Sequence, residues 1–532
     1  MDWKYSHLGY QQTGFFSKIV LDYISQAENI QPFYKHPNSL KGMKDAIEER
    51  KLFNTDRVLL YDVLKKQYAN ISTTPKVENN IESLLSENTF TICTAHQPNI
   101  FTGPLYFIYK ILHAVKIAEW MKEKKPENNF VPVYYMGSED ADLEELGHFF
   151  IEGQRYEWIT EQSGAVGRMK VDKALVKLIE QLSGQLLVYP YGAEILAMIQ
   201  ECYADGQTIE QATFQLVNKL FADYGVVILL PDNAEIKRLF IPVIENELLN
   251  NFSSSVVEET AERLSKNYKV QASGRALNMF YLLDGQRERI EREGEIWTVL
   301  NTNLKFNREE LIAELNNHPE NFSPNVILRP VLQEWILPNI AFIGGGGEIA
   351  YWLQLKNVFE AVNVPYPVLV VRNSLMLINK EINALIEKLS IDRLSLFTSE
   401  LDQVNQLVKR DSALQLSLEK QKQYQLALYE ELKTIAGKVD ITLQQHTEAL
   451  QVQSIKKIDQ LEKKMLRTEK KKFEAQNRQL HKIRTRLFPN DNLQERVDNM
   501  MFYYAKWGND FIKLIYENSP VLEQHFTVLT EN

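Results

Sequence analysis

Cysteine is nearly absent: Cys93 and Cys202 are the only two in 532 residues. Two thiols cannot build a disulfide framework or a four-cysteine zinc site, so a reducing cytoplasm is the expected home. Long apolar runs are also missing. The longest candidate, 226–230, has the length of an interior strand. Crossing a bilayer takes roughly 20 apolar residues, so no membrane partner is expected. Residues 1–11 (MDWKYSHLGYQ) show neither the basic start nor the apolar stretch of a signal peptide. The histidines are scattered and form no His-x-x-Glu-His or similar signature, so no protein-held metal is expected. A basic excess is lacking too. The formal net charge of −10 argues against general nucleic-acid binding. Between 379 and Pro489, glycine and proline vanish apart from Gly437, which excludes a loop-rich domain there.

What is present is the texture of a globular protein, with 44% apolar and 24% charged residues. A length of 532 residues is too great for one simple core. Residues 1–85 read as mostly helical, with apolar residues at helical spacing over 39–53 and 55–66. Strand 89–94, helix 104–122 and strand 130–136 then make a βαβ unit, the signature of an α/β fold. Further strands are predicted at 225–230, 326–328, 341–343 and 367–371. A hairpin is predicted over 277–291 around Asp284-Gly285.

Three polar turns follow predicted strands. The first holds His96, Gln97, Asn99, Thr102 and Gly103, with Gly103-Pro104 opening the helix. A turn beyond the carboxyl end of a strand is where α/β sheets bind ligands. The bland alternative is that His96 and Gln97 satisfy buried backbone. The second is the acidic loop 137–142, with Glu139, Asp140 and Asp142. Three carboxylates there suit an amine, sugar hydroxyls or Mg²⁺, or they offset a helix dipole. The third is 344–347, four glycines before Glu348 and Tyr351. Such a run implies a backbone that passes close to something, and its N–H groups suit an anion nest. It is neither a P-loop nor a dinucleotide fingerprint. Arg329 and Arg372 are candidate anion partners, or structural partners of carboxylates. Cys93 lies inside a strand and reads as a small buried side chain.

The glycine-free region predicts a helical hairpin turning at 437–440, with an incoming helix over about 413–436. The outgoing helix, 441–487, is about 70 Å long at 1.5 Å per residue. Thr468, Lys472 and Gln476 interrupt its apolar seam as a stutter. That helix carries twelve Lys/Arg against five Asp/Glu. A polyanion such as RNA is one reading, and a solvated coiled-coil surface or an acidic partner is the other. The aromatic segment 497–532 is expected to return to the globular part.

At these residues the chain resembles the cysteine-adding ligase family of bacillithiol biosynthesis. The matching pieces are Ala95-His96-Gln97 with 101–106 and Tyr109-Lys110, then 138–142, 323–326 with 328–330, and 344–352. They hold their order across essentially the whole chain. Ala95 stands where the family usually has glycine, and Ala141 where it usually has a histidine between the two aspartates.

The resemblance implies a Rossmann-like parallel-sheet core related in architecture to class I aminoacyl-tRNA synthetases. That core, with its helical N-terminal region, would span 1–375 with inserted segments at about 150–215 and 240–320. A helical coiled-coil domain would follow at 376–495, and 496–532 would return to the core. The implied reaction joins L-cysteine, through an activated carboxylate, to the amine of glucosaminyl-malate. ATP, with Mg²⁺ carried on the nucleotide, is the expected cofactor. His96, Asp140 and Asp142 are expected to be catalytic. Gln97, Glu139, Arg329, Glu348 and Tyr351 are expected to hold substrates. Asn99, Thr102, Gly103, Gly345 and Gly346 are expected to hold the nucleotide. A homodimer through the coiled coil is implied, without nucleic acid or membrane. The alternatives are a synthetase-like RNA-binding protein that uses the basic arm, and a non-catalytic coiled-coil assembly protein.

Overall fold

The computed structural model describes residues 3–271 and 274–532. One compact unit comprises Tyr5–Met376 with Asn492–Val528. The other comprises Leu377–Asp491 with Leu529–Asn532 and, at the N-terminal end, Trp3 and Lys4.

The first unit is built on five parallel strands: β1 (Thr89–His96), β2 (Asn129–Met136), β3 (Val227–Leu229), β4 (Asn339–Gly344) and β5 (Val368–Val371). Their order is β5-β4-β1-β2-β3. Seven of the eight residues of β1, and seven of eight in β2, are buried. That explains why these segments read as continuous apolar runs: both faces of a parallel sheet are covered. Helix α1 (Tyr106–Lys124) connects β1 to β2 and buries twelve of its 19 residues. Met43, Ala46 and Ile47, from the helix Leu40–Arg50, join Ile92, Ile343, Val370 and the α1 residues Ile117 and Met121 in one core cluster.

At the start of β4 the core holds a buried ion pair. Arg50 Nη2 lies 2.9 Å from Glu334 Oε2, and Arg50 Nε donates to the Asn339 carbonyl at 2.9 Å. The second Glu334 oxygen accepts from Asn339 Nδ2 at 2.8 Å and Gln333 Nε2 at 2.9 Å. Every oxygen of this buried carboxylate therefore has a partner, the condition under which a buried charge is tolerated.

A separate antiparallel sheet lies in the long connection between β3 and β4. Its order is Lys305–Phe306, Ile296–Val299, Gln286–Glu293, Met279–Leu283, Phe322–Pro324. Asp284-Gly285 makes the predicted hairpin turn, with Gly285 at φ +69°. The strand predicted at 326–328 is absent. Asn325 Oδ1 accepts from Ile327 N at 2.8 Å, and the Asn325 carbonyl accepts from Arg329 N at 2.8 Å. This side-chain turn bends the apolar triplet into the helix Arg329–Ile336. Helix α1 likewise begins at Tyr106 rather than at Pro104. Phe101, Thr102 and Gly103 all take positive φ, and Asn499 Nδ2 donates to the carbonyls of Phe101 (2.9 Å) and Gly103 (2.7 Å).

The second unit is helical. Helix α3 (Glu419–Val439) and α4 (Thr442–Lys470) pack as a hairpin, and α5 (Glu474–Leu487) follows a 3-10 turn at Lys471–Phe473. The outgoing helix is therefore broken where its seam is polar. Its 29-residue first part is about 44 Å long. Gly437 lies inside α3, and a Cβ there would meet Gln444 side-chain atoms at 2.3 Å, so the glycine permits the close turn. The chain reverses at Asp440, whose Oδ1 accepts from Thr442 N at 2.8 Å. Among the described residues no helix is long and apolar enough to cross a membrane.

Candidate active site

The strand order reverses at β1, which has β2 on one side and β4 on the other. The carboxyl ends of β1 and β4 therefore frame the crevice where open α/β sheets bind ligands. A cavity of about 1130 Å³ lies there. Three turns reach it: His96 and Gln97 at the end of β1, Gly137–Asp140 after β2, and Gly345–Glu348 after β4. The helix α2 (Gly346–Trp352) opens within the glycine run.

His96 is the end residue of β1. Its ring is tilted against Tyr106 and Phe107, at centroid distances of 5.4 and 5.5 Å. Burial pushes its pKa well below the ordinary value, and Lys110, Arg372 and Arg329 push it further. The imidazole is thus neutral near pH 7, not the cation that a role in charge stabilisation would need. Its Nε2 is shielded from solvent and lacks a hydrogen-bond partner. A neutral imidazole with a free nitrogen can donate or accept one hydrogen bond.

Gln97 Nε2 donates to Asp140 Oδ2 at 3.1 Å, which ties the first turn to the second. The other Asp140 oxygen accepts from Ala141 N at 2.8 Å. Glu139 is held by Ser323 Oγ, which donates to it at 2.7 Å, and by the buried Lys237. Lys237 also reaches Asp232 at 3.5 Å, and Asp232 accepts a bidentate pair from Arg168, both bonds 2.7 Å. Glu210 lies near this group. Burial first, and Asp232 second, push its pKa up to about 8. On the cavity wall, Glu145 is also raised, by burial and then by Asp142 and Asp140.

Lys110 is almost fully buried. It donates to the Ala95 carbonyl and to Glu348 Oε2, each at 2.6 Å. The same Glu348 oxygen accepts from Gly345 N at 2.8 Å. The anion nest expected of the glycine run is thus partly filled by the chain's own carboxylate. None of the four glycines has a positive φ. Their value is space: a Cβ on Gly347 would meet nothing within 4 Å, whereas one on Gly346 would meet Val20 at 3.1 Å. Arg329 donates to Tyr351 OH at 2.9 Å. Arg372 pairs with the buried Glu495 at 2.9 Å and lies over Tyr106, and it also lines the cavity.

The structure thus brings His96, Gln97, Glu139, Asp140, Arg329, Gly345, Gly346, Glu348 and Tyr351 to one cavity. Four other expected site residues are not on its lining. Asn99, Thr102 and Gly103 are buried in the turn beneath the segment around Asn499, because that asparagine draws the carbonyls of Phe101 and Gly103 inward. Asp142 caps a short helix, accepting from Glu145 N at 3.0 Å, as its alternative reading had it. Ala141 is exposed and also off the lining. Among the described residues no group of three or more His, Cys, Asp or Glu side chains is arranged to hold a metal. Sequence reading missed Arg275, Arg287 and Arg496, which line the cavity. Arg287 sits in QRERIERE, whose alternating charges read as a solvated strand.

Two features leave room for a ligand such as a nucleotide, although Asn99, Thr102 and Gly103 lie off the lining. The volume is above the roughly 300–1,000 Å³ of a single small-molecule pocket, so two ligands can share it. The unpartnered His96 nitrogen and the open side of Gly347 leave polar and steric room at the β1–β4 crevice.

Comparison with known proteins places the chain. Residues 3–373 match the family described as bacillithiol biosynthesis BshC, N-terminal Rossmann-like domain. Residues 375–531 match the BshC C-terminal coiled-coil domain. A protein named "Putative cysteine ligase BshC" from Flavobacterium johnsoniae is 38% identical over 525 residues, 98% of this chain and 99% of its own. Proteins of the same name from Flavobacterium psychrophilum (38%, 98% of each chain) and Christiangramia forsetii (36%, 98% of each chain) are similar throughout. A solved structure titled as an arginyl-tRNA synthetase from Campylobacter jejuni aligns at 9% identity and a TM-score of 0.23, over 84% of this chain and 98% of that one. That score carries no weight for fold or function.

Proposed function

The chain belongs to the BshC family, and from that premise we propose that it is a cysteine ligase of bacillithiol biosynthesis that adds L-cysteine to the amine of glucosaminyl-malate. The observation that carries this reading is the convergence of the His96 turn, the acidic loop and the glycine turn on one cavity at the strand-order reversal.

A carboxylate is a poor electrophile until it bears a good leaving group. ATP, when bound, would supply that group, and Mg²⁺ would arrive with it. The chain's own residues do the rest. His96, neutral and with a free Nε2, hydrogen-bonds the oxygen of the activated cysteine carboxyl as the amine attacks and the leaving group departs. Asp140, oriented by Gln97, accepts from the attacking amine. Glu348 holds Lys110 and Gly345 N–H ready and yields them when a ligand anion competes. The two cysteines are free and buried, which suits a reducing cytoplasm.

The same reading includes a homodimer through the helical hairpin. Leu432, Ile435 and Val439 on α3 are 41%, 53% and 78% exposed, which supports a face that another chain covers.

Thiol profiling by mass spectrometry after gene deletion tests the reaction. Glucosaminyl-malate should accumulate and bacillithiol should disappear. The wild-type gene should restore the thiol, while His96→Ala and Asp140→Asn should not. Full restoration by both variants would remove these residues from the site, and unchanged bacillithiol in the deletion strain would remove the pathway.

A further inference from the structure

Several buried cations of the first unit are paired with carboxylates, whereas some arginines on the cavity wall are not. Arg50, Arg168, Arg372, Lys110 and Lys237 each meet a carboxylate, in Glu334, Asp232, Glu495, Glu348 and Glu139 respectively. Arg287 and Arg329 line the cavity, and among the described residues neither forms an ion pair. Both are half-buried on the cavity wall. Burial lowers the pKa of Arg287, although Asp140 and Glu139 nearby oppose it. Arg329 Nη1 is shielded and has no hydrogen-bond partner. Each guanidinium has acids nearby, Asp140 and Glu139 for Arg287 and Glu348 for Arg329, but makes no direct ion pair, so it keeps N–H donors for a bound anion.

Both side chains are rigidly aimed. Arg287 lies 4.0 Å from the centroid of the Phe280 ring, and its Nε donates to Ser323 Oγ at 3.2 Å. Arg329 lies 5.7 Å from the Tyr135 centroid and is tied to Tyr351 at 2.9 Å. They also bracket one short turn. Arg287 Nη2 is 3.5 Å from the Pro324 carbonyl, and the next residue, Asn325, accepts from Arg329 N at 2.8 Å. Planar forks held this way suit carboxylates bidentately. The acids beside Arg287 repel a polyphosphate. They favour a ligand that carries an ammonium as well as its carboxylates.

We infer that Arg287 and Arg329 form a seat for a small dicarboxylate, one guanidinium to each carboxylate. The ligand's identity rests on the proposed function: there the dicarboxylate is the malyl half of the amino sugar, and its amine faces Asp140. The inserted antiparallel sheet and the helix Arg329–Ile336 thus supply substrate selection, while the parallel core supplies the reacting end.

Calorimetric titration of the full chain with L-malate, L-lactate and inorganic phosphate tests the seat. Malate should bind at least tenfold more tightly than lactate. Arg287→Gln and Arg329→Gln should each weaken malate at least tenfold and abolish its preference over lactate. Ser323→Ala, which leaves both charges in place, should weaken malate severalfold by releasing Arg287, and it serves if either Gln variant fails to fold. Malate binding unchanged in the variants, or no tighter than lactate in the wild type, overturns the proposal. Phosphate binding more tightly than malate, and lost in both variants, also overturns it by giving these arginines to the nucleotide. Malate binding that depends on both arginines, in a chain that makes no thiol product, would sink the ligase reading and leave the seat standing. Product formation with malate affinity unmoved would do the reverse.

Discussion

Helix α1 of the parallel-sheet unit buries twelve of 19 residues, whereas α3 of the helical unit, with 21, buries none. Both segments carry apolar side chains at helical spacing. The difference lies in what covers them. The apolar side chains of α1 are packed within its own unit, while those of α3 meet only part of α4, and Leu428, Leu432 and Ile435 stay exposed. Charges divide the same way. The sheet unit encloses Arg50–Glu334, 1% and 0% exposed. The hairpin spreads Lys422 between Asp459 and Glu462, both at 2.7 Å, in contact with water. Periodicity announces a helix but not its partner, and one unit is finished by its own chain while the other is not.

The comparison breaks most visibly at the buried pair. Glu334→Ala leaves Arg50 buried without its carboxylate, so denaturant unfolding should show a loss of about 3–5 kcal/mol. A loss below about 1 kcal/mol would mean that water reaches this pair as it reaches those of the hairpin.

The sheet unit should also carry the pH dependence. Glu210 has a folded pKa of about 8, above the carboxylate value it takes when unfolded. Between about pH 4.5 and pH 8 the folded state holds a proton that the unfolded state has released. Stability from this group is therefore full in acid and falls as pH rises through that window. Glu210→Gln should flatten the decline, read as melting temperature against pH. His96 works oppositely: its folded pKa is depressed, so its contribution is lost as pH falls below the unfolded value near 6.5. Its ring proton should show no titration between pH 8 and pH 6 by nuclear magnetic resonance.

On the hairpin, Leu432→Glu with Ile435→Glu should leave the melting temperature of the sheet unit unmoved and halve the mass in sedimentation. Unchanged mass would remove the proposed dimer face.

The sheet strands were legible because each is a short run buried on both faces, as in TICTAH and FVPVYYM. Their spatial order was not, since nothing local to 339–344 or 368–371 says which strand it will flank. The apolar triplet 326–328 looked like a strand, but one side-chain bond from Asn325 made it a turn. The His96 and acidic turns were placed by pattern. Yet the reach of Asn499 into the carbonyls of Phe101 and Gly103 comes from the far end of the chain, and it took Asn99, Thr102 and Gly103 off the cavity. Arg287 was missed because its strand alternates charges as a surface strand does. Nothing local to that strand showed that Arg287 would reach the cavity and, with Asp140 and Glu139 near it, still make no direct ion pair among the described residues.

The smallest effect belongs to the exposed pairs. Lys422 bridges Asp459 and Glu462 across α3 and α4, and both acids raise its pKa. In water, screening and the entropy of fixing a long side chain cancel most of that attraction. Lys422→Met should therefore shift the unfolding midpoint by no more than the scatter between repeats, and raising the salt concentration should erase even that shift. A salt-insensitive loss comparable to that of Glu334→Ala would mean that the ion pairs of the hairpin are enclosed in solution. The contrast between the two units would then belong to the isolated chain and not to its working assembly.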